Sequence, residues 1–222
     1  MEAASSAGLE PVELLVAAGS GGGEAAAARP GLPAFGGRAA GSGGGGETVA
    51  PELLAEVSTL GHPPRVIAVY RRDDLPRGVR PHTLALWHVA DPGNVGTLLR
   101  SADAFGAGVA LSPGCADPTG PKALRASMGA LFRVPLCGFD APDGRRIALV
   151  PRGGTPLPEL DLSGDVVFVL GAEREGLSRD VLERCDARAS IPQSGGADSL
   201  NVAMAGTVAL YELARRSQDL PA

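Results

Sequence analysis

An α/β fold, with a mostly parallel sheet and helices on both faces, is what this sequence predicts, on three observations. From about residue 81 onward, short apolar runs alternate with segments of helical spacing. Runs such as Val166–Leu170 are apolar at every position, as strands covered on both faces are. Three loops that follow strands carry glycine beside polar or charged residues, and open sheets of this kind bind ligands beyond the carboxyl ends of their strands.

The elements are read in order. Thr83–Val89 is a strand, and Asn94–Phe105 a helix that stops at Gly106. Val109–Leu111 is a short strand. Pro121–Phe132 is a helix with proline where a first turn tolerates it. Ile147–Val150 and Val166–Leu170 are strands, Ser178–Cys185 a short helix, Ala189–Ile191 a short strand and Leu200–Arg216 a long helix. Upstream, Gly19–Gly46 has the composition of a flexible linker. Pro11–Ala18 reads as a short helical segment, Pro51–Leu60 as a helix and Arg65–Tyr70 as a strand. The expected organisation is a reduced N-terminal module over residues 1–78, a main domain over 79–218 and a tail over 219–222.

Composition narrows the function. Hydrophobic residues are 44% of the 222, enough for a core. No run of about 18 apolar residues is free of Gly, Pro and charge, so a membrane span is not expected. Met1–Gly8 lacks the pattern of a secretory leader, which makes the cytoplasm the expected compartment. Cys115, Cys137 and Cys185 are far apart and form no metal-binding spacing; they read as small packed residues in a reducing compartment, with no metal site. The net charge of −5 weighs mildly against a nucleic-acid partner, although the local field matters more than the sum. With aromatics at 4%, any RNA contact is expected to rest on Arg, Lys and backbone amides rather than on stacking. His62, His82 and His88 match no motif and read as structural.

The three loops hold the chemistry. In Asp91–Arg100, Pro-Gly makes a turn, Asn94 is placed to cap the helix and Arg100 follows six residues later. In Leu170–Ser178, two glycines five apart allow close backbone approach, and Glu173 is expected to be buried and to orient a polar ligand group. In Ile191–Ala203, a Gly-rich stretch leads into the long helix, with Asp198 or Ser199 as the expected N-cap and amides free to meet ligand oxygens.

In order and spacing these segments resemble the three signature motifs of the SpoU/TrmH family of RNA methyltransferases, within the SPOUT superfamily. The family pattern is N-x-G-x-x-x-R, then G-x-E-x-x-G-L, then I-P-x-x-G followed by S-L-N-V, and this sequence has all three. The stretch Ala126–Phe132 is also similar to the family's intervening helix, and the resemblance spans roughly Leu84 to Arg216. Gln193 stands where Met is common and Ala203 where Ser is common; neither replaces a catalytic group.

The resemblance implies a C-terminal trefoil knot, a homodimer and S-adenosylmethionine as cofactor, held by Gly171, Ile191 and Leu200. It implies methylation of a ribose 2′-hydroxyl in structured RNA, ribosomal RNA ahead of transfer RNA, with Asn94, Arg100, Glu173, Ser199 and Asn201 around the reacting centre. Arg100, Lys122, Arg125 and Arg133 are the expected RNA contacts, and the N-terminal region would be a shortened relative of the family's RNA-binding module. The alternatives are a silent RNA-binding or ribosome-assembly factor, which would be expected to have lost Arg100, Asn94 or Asn201, and a methyltransferase acting on an RNA base or on tRNA.

Overall fold

The computed structural model describes residues 2–18, 46–58, 62, 64–195 and 199–217. Most of the Gly-rich stretch, the proposed cap Asp198 and the 219–222 tail therefore lie outside the described residues. Two compact units are present, Met1–Leu75 and Pro76–Ala222.

The first unit places helix α1 (Glu2–Ser6) and helix α2 (Pro51–Val57) with three strands, β1 (Glu13–Ala17), β2 (Glu47–Val49) and β3 (Val66–Val69). β1 is central, parallel to β2 and antiparallel to β3. The segment expected to be helical over 11–18 is thus a strand. A run this short is marginal as a helix, and here neighbours on both sides bond its backbone while Leu14, Ala17 and Leu54 are buried.

The second unit holds a fully parallel sheet. Its strands are β4 (His82–Leu86), β5 (Gly108–Leu111), β6 (Leu136–Gly138), β7 (Arg145–Leu149), β8 (Thr155–Pro156), β9 (Val166–Leu170) and β10 (Ala187–Ser190), in the order β6-β5-β4-β9-β7-β10-β8. Helices α3 (Pro92–Ala104), α4 (Pro121–Ser127), α5 (Arg179–Glu183) and α6 (Val202–Ser217) complete it. Alternate residues of each strand face opposite sides. Leu84 and Leu170 meet α3 and α6 beside Gly206, whereas Ala85, Val167 and Val169 pack with Phe139 and Val181 on the other side. All five residues of β9 are buried, the continuous apolar run of a strand covered twice.

The helix expected over 121–132 stops at Ser127. Met128 and Gly129 take left-handed backbone, φ 50° and 85°, and a 3-10 turn over Ala130–Phe132 follows. Glycine adopts that conformation without penalty and ends helices for this reason. β6 and β8, too short to show a period, were not expected.

Near the C-terminal end of α6, Glu212 accepts from Arg215 at 2.8 Å and from Arg216 at 2.7 Å, and Arg216 also reaches the carbonyls of Leu157, Pro158 and Leu160. The Arg215 hydrogen bond, then that of Arg216, holds the Glu212 carboxyl below the usual carboxylate range. A depressed folded-state pKa contributes stability that is complete above the ordinary value of about 4.3 and is lost as pH falls through the folded value. Glu212→Gln is therefore expected to lower stability by about 1–2 kcal/mol at pH 7 and to flatten the acid limb of a melting-temperature profile below pH 4–5.

Candidate active site

The carboxyl ends of β7, β9 and β10 open into one cleft of about 670 Å³, within the usual size of ligand pockets. Its walls come from Leu149–Gly153 after β7, Leu170–Leu177 after β9, and Ala189, Ile191, Gln193 and Ser199–Val202 around β10 and the start of α6. All three residues expected to hold a cofactor, Gly171, Ile191 and Leu200, line it, as do Glu173, Ser199 and Asn201.

Backbone contact shapes the middle wall. A Cβ on Gly171 would lie 2.3 Å from the carbonyl carbon of Gly176, and Gly176 has φ +67°. Ala172 and Gly176 exchange hydrogen bonds of 3.2 and 2.9 Å, closing the loop into a small antiparallel turn. The two glycines of the sequence pattern thus serve different ends, one for close approach and one for left-handed backbone.

Caps differ from those expected, and the difference matters. α3 is capped by Asp91, whose Oδ1 accepts from the amide of Asn94 at 3.0 Å, so Asn94 sits in the first turn with its side chain released from capping. α6 starts at Val202 and is capped not by Ser199 but by Asn201, whose Oδ1 accepts from Ala203 N at 2.9 Å and Met204 N at 3.3 Å. The Nδ2 of Asn201 then donates to Asn94 Oδ1 at 3.1 Å, and Asn94 Nδ2 donates to Glu173 Oε1 at 2.9 Å. Glu173 is exposed rather than buried, and the backbone N–H of Asp91 also approaches its Oε1, at 3.4 Å. Every amide in this chain has its orientation fixed by its neighbours, since each oxygen accepts and each nitrogen donates. One residue from each of the three loops is joined in this way.

Asn201 therefore has two tasks that substitution separates. Asn201→Asp keeps the capping oxygen and loses the donor to Asn94; it is expected to melt near the native temperature with activity lowered tenfold or more. Asn201→Ala is expected to lose both activity and about 1 kcal/mol of stability. Thermal melts beside turnover assays distinguish the two.

Arg100 is exposed on α3, does not line the cleft, and has no hydrogen-bond or ion-pair partner among the described residues. Lys122 binds Asp91 Oδ2 at 2.7 Å, which, ahead of the Asn94 amide, holds the Asp91 carboxyl below its ordinary range. Arg125 is exposed on α4. Arg133 is spent differently: Asp103 accepts from its Nε at 3.1 Å and its Nη2 at 2.6 Å, a bidentate pair that raises the guanidinium's already high pKa. That geometry ties α3 to the turn after α4.

The Leu149–Gly153 wall went unread in the sequence. Its signal was the Gly-Gly pair at 153–154 after a strand: a Cβ on Gly154 would lie 2.6 Å from the backbone of Ala189. The cysteines are free and half-buried, and burial pushes the thiols of Cys137 and Cys185 up, away from nucleophilic character. Among the described residues no group of His, Cys, Asp or Glu is placed to hold a metal, and no helix is long and apolar enough to cross a membrane.

Residues 81–211 match the SpoU rRNA Methylase family. An uncharacterized tRNA/rRNA methyltransferase of Synechocystis sp. is 39% identical over 184 residues, 77% of this chain and 67% of that protein. The 23S rRNA (uridine(2479)-2′-O)-methyltransferase of Streptomyces viridochromogenes is 36% identical over 190 residues, 76% of this chain and 66% of its own length. The crystal structure of the SpoU methyltransferase AviRb from S. viridochromogenes, in complex with the cofactor AdoMet, superposes with a TM-score of 0.75 at 26% identity, covering 99% of this chain and 88% of that one.

Proposed function

Because the chain belongs to the SpoU rRNA Methylase family, we propose that it transfers a methyl group from S-adenosylmethionine to a ribose 2′-hydroxyl of structured RNA, with ribosomal RNA as substrate in the cytoplasm. The observation behind this reading is the hydrogen-bond chain Glu173–Asn94–Asn201, which ties the first loop to the two loops that line the cleft. The cleft suits the cofactor: Leu149, Leu170, Leu177 and Ile191 offer apolar surface for a flat base, and Glu173 and Arg188 offer polar partners. Gly171, Ile191 and Leu200 would hold it. That cofactor supplies an electrophilic methyl carbon on a sulfonium, so the chain's own task is alignment of the ribose oxygen and stabilisation of charge as the hydroxyl proton leaves.

Asn94, Glu173 and Asn201 fix the geometry at the rim, with Ser199 beside them. Arg100, unpaired and always charged, is assigned to the developing alkoxide and the adjacent phosphate. Lys122, paired with Asp91, and Arg125 are exposed on α4, and Arg133 is paired with Asp103. The sheet order supports a knotted C-terminus, since β10 lies between β7 and β8 although those two are successive in the chain.

A homodimer is supported by α6, where Met204, Val208 and Tyr211 are exposed by 55%, 39% and 50% at successive turns of one face. Val208→Asp is expected to shift the protein to monomer in sedimentation, with activity falling tenfold or more.

The test is transfer of radiolabel from S-adenosylmethionine into ribosomal and transfer RNA, alone and in ribosomal particles. Alkali-resistant label at one nucleotide of ribosomal RNA is expected; label in a base, or none in any RNA while the cofactor binds, refutes the reading.

A further inference from the structure

The loop between β4 and α3 contains an aromatic stack that no motif explains. Trp87 packs partly into the core, tilted against Phe139 with ring centroids 5.2 Å apart. His88 lies flat on Trp87, centroids 4.4 Å apart and planes within 9°. His88 is exposed, and its φ of +52° puts a non-glycine residue in left-handed backbone. That conformation is uncommon outside Gly, though His, with Asn and Asp, adopts it more readily than other residues, and it persists where the surroundings over-determine it.

Here they do. The His88 amide donates to Ser112 Oγ at 3.0 Å, and Cys115 Sγ donates to the carbonyl of Leu86 at 3.3 Å. Glycine at 114, itself at φ +88°, spares the ring, because a Cβ there would come within 3.3 Å of the imidazole Cδ2. The stack is also wired to the cleft. Trp87 N donates to the carbonyl of Leu170, the residue that begins the middle wall, and Asp91, three residues after His88, touches Glu173.

We propose that the Trp87–His88 stack is a landing platform for a nucleobase of the RNA substrate, at or next to the methylated nucleotide. The inference rests on the RNA methyltransferase reading above and adds a substrate-positioning residue to it. A ribose hydroxyl presented to a cleft beyond the carboxyl ends of the strands is best delivered by a nucleotide held out of the helical stack, and unstacked bases are held on aromatic or imidazole faces. In a chain with 4% aromatics, an exposed histidine backed by the only tryptophan and held in left-handed backbone, one hydrogen bond from the cleft wall at Leu170, is suited to this, contrary to the purely structural role its sequence context suggested.

The experiment compares wild type with His88→Ala, His88→Gly and His88→Phe in steady-state methylation of the RNA the native enzyme labels, with S-adenosylmethionine affinity by calorimetry and thermal melts alongside. Base stacking measured by alanine substitution corresponds to roughly tenfold in affinity. The RNA KM is expected to rise about tenfold in both His88→Ala and His88→Gly, with kcat and cofactor affinity within twofold, and His88→Phe is expected to restore it. An unchanged RNA KM in His88→Ala overturns the proposal. So does loss of cofactor affinity or a lowered melting temperature that accounts for the defect, or failure of His88→Phe to rescue while folded. If native enzyme labels no RNA, the methyltransferase reading fails instead, an outcome distinct from all of these.

Discussion

Replacing Arg100 with alanine is expected to lower kcat for RNA methylation by two to three orders of magnitude while leaving melting temperature and cofactor affinity unchanged. The side chain is solvent-exposed, lies outside the cleft and makes no hydrogen bond or ion pair among the described residues, so the fold loses no partner with it. A cation aimed at developing negative charge is worth about 10²–10³ in rate, as other single electrostatic donors are. Arg100→Lys keeps the charge but not the planar fork, and is expected to recover only part of the loss if phosphate and oxyanion are held together. Single-turnover methylation with saturating cofactor separates chemistry from binding. Near-native turnover in Arg100→Ala would remove this residue from the mechanism and leave the Asn94–Glu173–Asn201 chain as the whole of the polar machinery.

Gly171→Ala is expected to abolish cofactor binding, with a drop in affinity of a hundredfold or more, and to cost about 1–3 kcal/mol of stability. The added methyl would meet Gly176 carbon, Gly176 oxygen and Leu177 nitrogen at 2.3, 2.5 and 2.5 Å. All three are backbone atoms, so no rotamer change relieves the clash. The loop must open, which breaks the reciprocal Ala172–Gly176 hydrogen bonds and displaces one wall of the cleft. Calorimetric titration with S-adenosylmethionine, beside a thermal melt, measures both effects; an unchanged dissociation constant would show that this wall does not touch the cofactor.

What was legible in the sequence was local. The strand at Val166–Leu170 announced itself because each of its five residues is buried, and the glycines at 171 and 176 because their backbone demands are met within one loop. The same holds for the three loops as a set, whose residue types form short patterns readable within each loop. The capping assignments failed for a related reason. Asp91, Asn94, Ser199 and Asn201 are all competent caps, and which two act is settled by where α3 and α6 begin once they dock on the sheet. Only that choice lets Asn94 and Asn201 meet across 107 residues of chain. Glu13–Ala17 was misread because five mostly apolar residues fit either period; its strand state is supplied by partners around residues 48 and 67. His88 carries no signal in residue type or spacing, because what sets it apart is a torsion angle and a stacked neighbour.

The position of β10 has a consequence for how the protein is made. Until residues 187–190 emerge and seat themselves, β7 has one open edge, and β8 has no neighbour in the sheet, since its registered pairing is with β10. An unpaired edge is a template for wrong association with other chains. β10 also contributes Arg188 and Ala189 to the lining of the cleft, and Ile191 just after it does the same. A growing chain on the ribosome therefore closes the open edge of β7 before its cleft is complete, because Ser199–Val202 follow β10. A ligand that contacts both the loop after β7 and the residues around β10 favours the seated strand by mass action.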